Sequence, residues 1–166
     1  MIYKFRVILD HNKNVDIFRD IEIKDEATFE NFHETIKKSF GFNRNEMASF
    51  YISNQEWEQG EEVALIDVSQ LNNVMIMNQT KLKTLLNKTT DKLIYVYDFL
   101  NYWTFLIELK EIYSEKKGSV YPKIIFEFGQ IPKNAPKKNF ESDNIENSNN
   151  FEEDFENNQD DSWYLN

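Results

Sequence analysis

The side chains best suited to chemistry in this sequence lie between two apolar runs, in the stretch from Asp98 to Trp103. A carboxylate at the end of a strand beside an indole can hold a cation or orient a substrate hydroxyl, and Tyr102 adds a phenol. An aspartate at a strand end more often accepts hydrogen bonds from the backbone amides of its own turn. We therefore treat Asp98, Tyr102 and Trp103 as candidate ligand-binding residues, with a turn-forming role as the alternative for Asp98.

The two histidines are the other candidates for acid–base or metal chemistry. His33 falls on the apolar face of a predicted helix, where a lone histidine is usually a hydrogen-bonded core residue rather than a base. His11 falls in a predicted hairpin turn and has no paired histidine or carboxylate motif. Two distant histidines and no cysteine exclude a zinc site of standard spacing. The sequence predicts no metal site and no cofactor.

Other sequence signals of catalysis are absent. The acidic pairs Glu56/Glu58 and Glu61/Glu62 lie in a polar stretch, where carboxylates are usually solvated. The four glycines are too dispersed to form a phosphate-binding loop, and no GxSxG nucleophile elbow occurs. No motif in the sequence requires an enzyme, and no catalytic residue can be assigned.

Two aromatic-rich runs within residues 92–112 flank the candidate site and predict a central pair of antiparallel strands. Alternate residues from Leu93 to Phe99 are expected to share one face of the sheet. The second run becomes polar on one side, which is typical of a sheet with one face in water. The connecting turn contains no glycine, so we expect a positive φ at Asn101, its most tolerant residue.

A helix is predicted over residues 28–40, where Phe29, Phe32, His33, Ile36 and Phe40 recur at helical spacing. A short helix is predicted over residues 80–87 with Thr80 as its cap. The fold class that follows is α+β, a mainly antiparallel β-sheet with one long helix and one short helix packed on it.

Further strands are predicted at residues 2–9, 15–23, 47–53 and 121–128. Strict alternation fails near Arg19-Asp20, which predicts a bend or bulge there. Residues 68–78 fit neither a strand nor a helix clearly.

Composition divides the chain into a folded part and a tail. Residues 1–137 are predicted to form a single α+β globular domain, whereas 138–166 are dominated by Asn, Asp, Glu and Ser and are predicted to be an acidic disordered tail. The sequence contains no cysteine, no signal-peptide pattern and no apolar run long enough to cross a bilayer. We expect a cytoplasmic protein that does not bind membranes.

Charge follows the same division. All 19 Lys and Arg residues lie at or before Lys138, and nine acids follow it, so the tail carries nearly all of the net charge of −10. The preceding residues are close to neutral, which argues against a dedicated nucleic-acid groove. A local basic patch of Lys81, Lys83, Lys88 and Lys92 is the remaining route to nucleic acid, and these lysines have the pattern of a solvated helix face.

From residue 151 onwards, the acidic tail contains five aromatic or aliphatic side chains, spaced among its acidic residues. They are Phe151, Phe155, Trp163, Tyr164 and Leu165. Acidic segments with spaced aromatics can fold onto basic, apolar grooves of a partner. These five residues are therefore candidate contacts with a basic protein partner, and a purely solubilising tail is the alternative.

The order of elements resembles the plasmid pRiA4b ORF-3-like family. The resemblance spans about residues 1–133, and its most specific part is the pattern YxYDFxxxW from Tyr95 to Trp103. Family members usually have glycines after the Phe and a histidine soon after the Trp. Here Leu100-Asn101-Tyr102 and Thr104-Phe105 occupy those positions. The resemblance implies an antiparallel sheet covered by helices, an origin on plasmids or insertion elements, and no settled activity.

The leading hypothesis is a non-catalytic interaction module whose acidic tail recruits a basic protein partner. The alternative is an enzyme or small-ligand-binding domain with its site at the 98–103 turn. A ligand site predicts a concave pocket with Asp98 partly exposed and Trp103 lining it. An interaction module predicts Trp103 in the core and an exposed apolar patch elsewhere.

Overall fold

An eight-stranded β-sheet organises residues 1–70 and 73–137, the part of the chain that the computed structural model describes. Two helices accompany the sheet, α1 (Phe29–Phe40) and α2 (Leu82–Leu85). The strands in chain order are β1 (Ile2–Leu9), β2 (Phe18–Lys24), β3 (Ala48–Ser53), β4 (Gln59–Ala64), β5 (Met75–Ile76), β6 (Lys92–Tyr97), β7 (Trp103–Tyr113) and β8 (Lys123–Phe128). The α+β class predicted from the sequence is confirmed.

The strand order across the sheet is β5-β4-β3-β6-β7-β1-β2-β8. All neighbouring strands run antiparallel except β4 and β5, which are parallel. The predicted central pair is the β6–β7 hairpin, in which Tyr95 lies opposite Phe105. β8 forms one edge of the sheet. Neither helix of the described chain has the length and apolar character needed to cross a lipid bilayer.

α1 begins and ends at the residues that its sequence indicates. Thr28 is the N-cap, its Oγ1 accepts a hydrogen bond from the Asn31 amide, and the Asn31 side chain accepts one from the Thr28 amide. Gly41 ends the helix at φ 75°, a conformation that glycine adopts without strain. The helix has twelve residues, so the long helix expected from the sequence is a three-turn helix of average length.

The core lies between α1 and the middle of the sheet. The Phe32 ring packs 4.5 Å from the ring of Phe5 on β1 and 5.5 Å from that of Phe50 on β3. The Tyr95 ring lies 4.7 Å from Phe50, and none of these four side chains is exposed by more than 1%. Complete burial of each such ring contributes about 2–3 kcal/mol, so this aromatic layer is the main attachment of the helix to the sheet.

The predicted short helix differs from the one observed, and the unassigned stretch 68–78 contains a short strand. The short helix is a single turn, Leu82–Leu85, and its N-cap is Lys81 rather than Thr80. The Thr80 hydroxyl instead donates to the Ile76 carbonyl, so it closes the preceding turn. Within the unassigned stretch 68–78, β5 adds a two-residue parallel strand beside β4. Such a short strand carries too little sequence pattern to be predicted.

The irregularity predicted at Arg19-Asp20 lies in the β2–β8 pairing. β2 pairs with β1 in an unbroken register, but its register with β8 shifts between Asp20 and Ile21. Asp20 lies opposite Phe126 and Ile21 opposite Ile124, so the extra residue is Ile125 of β8.

Both helices pack on one side of the sheet, and we call the other side the open face. β1 and β2 present charged side chains there, with Arg6 bound to Asp20 through two hydrogen bonds of 2.8 Å. β6 presents Ile94 and Val96 on this face, exposed by 6% and 1%. On the open face, the middle of the sheet therefore carries apolar side chains that are buried, and the part towards β2 carries charged side chains.

Candidate functional site

The turn between β6 and β7 has a different conformation from the one predicted. Positive φ values occur at Asp98 (60°) and Tyr102 (58°), not at the predicted Asn101. The Asp98 amide donates to the Met47 carbonyl at 2.8 Å, and the Tyr102 amide donates to the Asp98 carbonyl. Met47 directly precedes β3, so the first of these hydrogen bonds joins residues that are distant in the sequence. It helps to fix the backbone conformation at Asp98.

The Asp98 carboxylate is occupied by its own turn. Oδ1 accepts hydrogen bonds from the amides of Leu100 and Asn101 at 3.2 and 3.3 Å, and Oδ2 accepts one from the Asn101 side chain at 2.6 Å. Burial acts to raise the pKa of Asp98, but these three hydrogen bonds outweigh it and the pKa is lowered. The residue is 7% exposed. This geometry is that of a turn-forming aspartate.

Trp103 and Tyr102 point into different environments. The Trp103 side chain is 7% exposed, and its ring packs 5.3 Å from that of Phe42 in the aromatic core. Tyr102 is 40% exposed, and Leu100 beside it is 95% exposed. The three candidate ligand-binding residues therefore do not converge: one carboxylate is used by the turn, one ring is in the core, and one ring faces solvent.

A cavity of about 560 Å³ lies beside this turn. Its walls are Leu100, Asn101 and Tyr102 on one side and the chain segment 134–137 on the other. Neither Asp98 nor Trp103 lines it. Any ligand in this cavity would contact amide, phenol and aliphatic groups rather than the buried carboxylate.

His33 forms a buried pair with Tyr95. The His33 Nδ1 lies 2.7 Å from the Tyr95 hydroxyl, and the histidine is 2% exposed. Burial lowers the pKa of His33 to about 4, although Glu34, whose Oε1 is 3.5 Å from Nε2, acts to raise it. Burial also raises the pKa of Tyr95. The ring is neutral and hydrogen-bonded in the core, as the sequence favoured over a catalytic role.

The remaining candidates for chemistry are separated from one another. His11 lies on the β1–β2 hairpin, where its Nδ1 accepts the Lys13 amide at 3.1 Å. The Glu62 carboxylate accepts the Ser49 hydroxyl at 2.6 Å, and the Glu58 carboxylate accepts the Asn54 side chain. Within residues 1–70 and 73–137, no three His, Cys, Asp or Glu side chains come together as a metal site would require.

Three of the four lysines of the candidate nucleic-acid patch, Lys81, Lys83 and Lys92, contact other groups of the described chain. Lys81 and Lys83 both pair with the exposed Glu26. The Lys92 ammonium lies 4.4 Å from the centre of the Trp57 ring and donates to the Gln55 carbonyl. These lysines contact acidic, aromatic and carbonyl groups of the same domain.

An exposed aromatic cluster, not anticipated from the sequence, lies at the β8 edge of the open face. We call Phe18, Phe126 and Phe128 the edge patch; the Phe18 ring stacks 5.8 and 5.5 Å from the other two. Phe126 and Phe128 are 50% and 45% exposed, and the Arg6 guanidinium lies 4.2 Å above the Phe18 ring. The alternation from Lys123 to Phe128 could have indicated this cluster, because every second residue of an edge strand shares one face.

A sequence model of the plasmid pRiA4b ORF-3-like proteins matches residues 1–136. The chain belongs to this family. The match covers all eight strands and both helices of the described residues. The resemblance inferred from the stretch Tyr95 to Trp103 is confirmed.

A solved structure supports the same fold. The crystal structure of MM3350, a protein of unknown function from Methanosarcina mazei Go1, superposes with a TM-score of 0.66 at 18% sequence identity. The superposition covers 76% of this chain and 68% of that one. No curated protein sequence matches the chain. Family and structural neighbour therefore establish a fold and carry no assigned activity.

The five tail candidates, Phe151, Phe155, Trp163, Tyr164 and Leu165, lie outside the described residues. The division into a domain of 1–137 and a disordered tail of 138–166 stays a prediction for the same reason.

Proposed function

We propose that this member of the pRiA4b ORF-3-like family is a non-catalytic interaction module whose acidic tail recruits a basic protein partner. The observation that carries the proposal is the separation of charge: nine acids and no base follow Lys138. A segment of this charge is attracted to a basic surface at long range and is repelled by an acidic one.

The side chains best suited to acid–base chemistry are hydrogen-bonded within the domain, which supports a binding role over a catalytic one. The Asp98 carboxylate accepts three hydrogen bonds from its own turn, and His33 is paired with Tyr95 in the core. Catalytic acids and bases need to reach a substrate, and neither of these groups faces solvent.

The edge patch offers an apolar contact for the same partner. Phe126 and Phe128 are about half exposed on a strand whose outer edge pairs with no other strand of the described chain. Aromatic side chains contribute much of the free energy at protein interfaces. We propose that the tail supplies attraction and specificity for positive charge, while the edge patch supplies buried apolar area.

The test uses three full-length variants that change one feature each. The first neutralises acids of the tail (Glu152→Gln, Glu153→Gln, Asp154→Asn), the second removes its aromatics (Phe151→Ala, Phe155→Ala), and the third alters the turn (Tyr102→Ala). Each is used in quantitative affinity capture from native lysate, and the captured proteins are then purified for direct binding measurements.

The proposal expects a basic protein whose affinity falls for both tail variants and is unchanged by Tyr102→Ala. Equal affinity of the wild-type chain and the tail-neutralised variant for every purified partner would refute it. In that case the tail serves only for solubility.

A small-ligand site at the turn is the second candidate, and the cavity of about 560 Å³ beside Tyr102 favours it. Its volume is in the range of ligand pockets. It predicts that Tyr102→Ala abolishes binding of a small molecule that both tail variants retain.

A further inference from the structure

A second cavity, of about 450 Å³, lies between the β1–β2 hairpin and the end of the described chain. Its apolar wall is formed by Ile17, which is 9% exposed, together with Pro132 and Pro136. We call it the hairpin pocket. It shares Asn134, Pro136 and Lys137 with the cavity beside the 98–103 turn, but no residue of that turn lines it.

The wall contributed by the chain segment 129–137 is fixed to the domain. Ile131 and Ala135 pack against the hydrophobic core. Arg19 is 7% exposed, and its Nη1 donates to the carbonyls of Phe128 and Gly129 at 3.0 Å each. This wall of the hairpin pocket is therefore held in place by packing on the core and by hydrogen bonds to the buried Arg19 guanidinium.

The rim of the pocket is positively charged. Lys13 and Lys137 line it from opposite sides, with His11 beside the first. Neither lysine takes part in an ion pair with another described residue. The hairpin acids Asp10 and Asp16 do not line it. An apolar wall with a cationic rim suits a ligand that combines an aromatic ring with carboxylates.

The chain itself carries such a ligand. The segment Phe151-Glu152-Glu153-Asp154-Phe155-Glu156 places two phenylalanines among four acids. Thirteen residues separate it from Lys137 on the pocket rim. That connection spans up to about 45 Å when extended, so its length permits a return to the pocket. Tethering gives the segment an effective concentration of about a millimolar, which allows even weak contacts to be occupied.

We propose that the hairpin pocket binds the segment 151–156 of the same chain. A phenylalanine ring packs on Ile17 and the two prolines, and the flanking carboxylates pair with Lys13 and Lys137. Docking needs no other protein. Where the tail also recruits a partner, which rests on the function proposed above, docking in cis would withhold the tail until a stronger basic surface competes for it.

The absence of cysteine from the chain allows a direct test by disulfide trapping in the full-length protein. Asn12→Cys places a thiol on the pocket wall, and Asn150→Cys places one next to Phe151. The matched control pairs Asn150→Cys with Thr89→Cys, an exposed position in the loop at the other end of the strands. Rates of intramolecular cross-linking are measured at low micromolar protein with oxidised glutathione.

We expect the pocket pair to cross-link about tenfold or more faster than the control pair, a gain that reflects local concentration. The additional changes Phe151→Ala and Phe155→Ala should lower the cross-linking rate of the pocket pair and leave that of the control pair unchanged, as should Lys13→Gln with Lys137→Gln. Equal rates for the two cysteine pairs would overturn the proposal. So would disulfide-linked dimers, which would assign the pocket to a second copy, or a rate that depends on Trp163→Ala and not on the two phenylalanines. None of these three outcomes bears on partner recruitment, which the capture experiment tests separately.

Discussion

Replacing His33 by glutamine tests the buried histidine pair through the pH dependence of stability. The imidazole lies in the core, hydrogen-bonded through Nδ1 to the Tyr95 hydroxyl at 2.7 Å. The charged groups that face it are Glu34, which is 3.5 Å from Nε2, and Lys37 on the next turn of α1. Glutamine retains a hydrogen-bonding side chain but cannot be protonated in this pH range.

Burial lowers the pKa of His33 from 6.5 to about 4, so the folded state disfavours the charged ring. The unfolded chain takes up the proton as the pH falls below about 6.5, and the folded chain takes it up only near the lowered pKa. The resulting stabilisation is complete above pH 6.5 and is lost between there and pH 4. The pKa difference corresponds to a loss of about 3 kcal/mol in the free energy of unfolding over that window.

The assay is urea denaturation at a series of pH values from 4 to 8, performed on the wild-type chain and His33→Gln. The wild-type chain should lose about 3 kcal/mol more than the variant between pH 7.5 and pH 4. His11→Gln is the matched control, because it removes the other histidine of the chain from an exposed hairpin. Parallel stability curves for the wild-type chain and His33→Gln would refute the assignment of a neutral, desolvated ring.

Substitutions at three further positions test contacts that fix the architecture, each measured by urea denaturation at pH 7. Asp98→Ala should lower the free energy of unfolding by about 2–3 kcal/mol, because it removes three hydrogen bonds and leaves a side chain at a positive φ. Asp98→Gly should lower it by less, because glycine adopts a positive φ without strain. Equal losses for the two variants would contradict the role of backbone strain. Arg19→Lys should lower the free energy of unfolding by about 3 kcal/mol, because an ammonium group cannot replace a guanidinium that donates to four backbone carbonyls. A loss below about 1 kcal/mol would contradict this role of Arg19. Gly60→Ala should cost about 1–3 kcal/mol, since its Cβ would lie 2.8 Å from the Ile52 carbonyl oxygen, and a neutral effect would show that β4 can move away.

Local patterns were sufficient to predict the elements that meet the core. The helix over 28–40 was predicted from the helical spacing of its apolar residues, a pattern that acts within a few residues, and α1 is observed at Phe29–Phe40. The β6–β7 pair was predicted from β-branched and aromatic alternation. The family resemblance rested on the same stretch and is confirmed over residues 1–136.

The features that the sequence did not predict depend on contacts distant in the chain. The positive φ at Asp98 rather than Asn101 accompanies an amide bond to the Met47 carbonyl. The edge patch forms because β8 pairs with β2 and brings Phe126 and Phe128 to Phe18. The hairpin pocket requires the segment 129–137 to be anchored by Arg19. The alternation from Lys123 to Phe128 indicates which of its side chains share a face, but the pairing of β8 with β2 and the other two contacts have no local sequence signature.

Recruitment of a basic partner by the acidic tail is tested most directly by an affinity measurement on purified components. Binding of a captured partner to the full-length chain is compared with binding to the tail-neutralised variant, at low and at physiological salt. Neutralisation of the tail should weaken binding by about tenfold or more and reduce its salt dependence. Equal affinities and equal salt dependence for the two chains would contradict it.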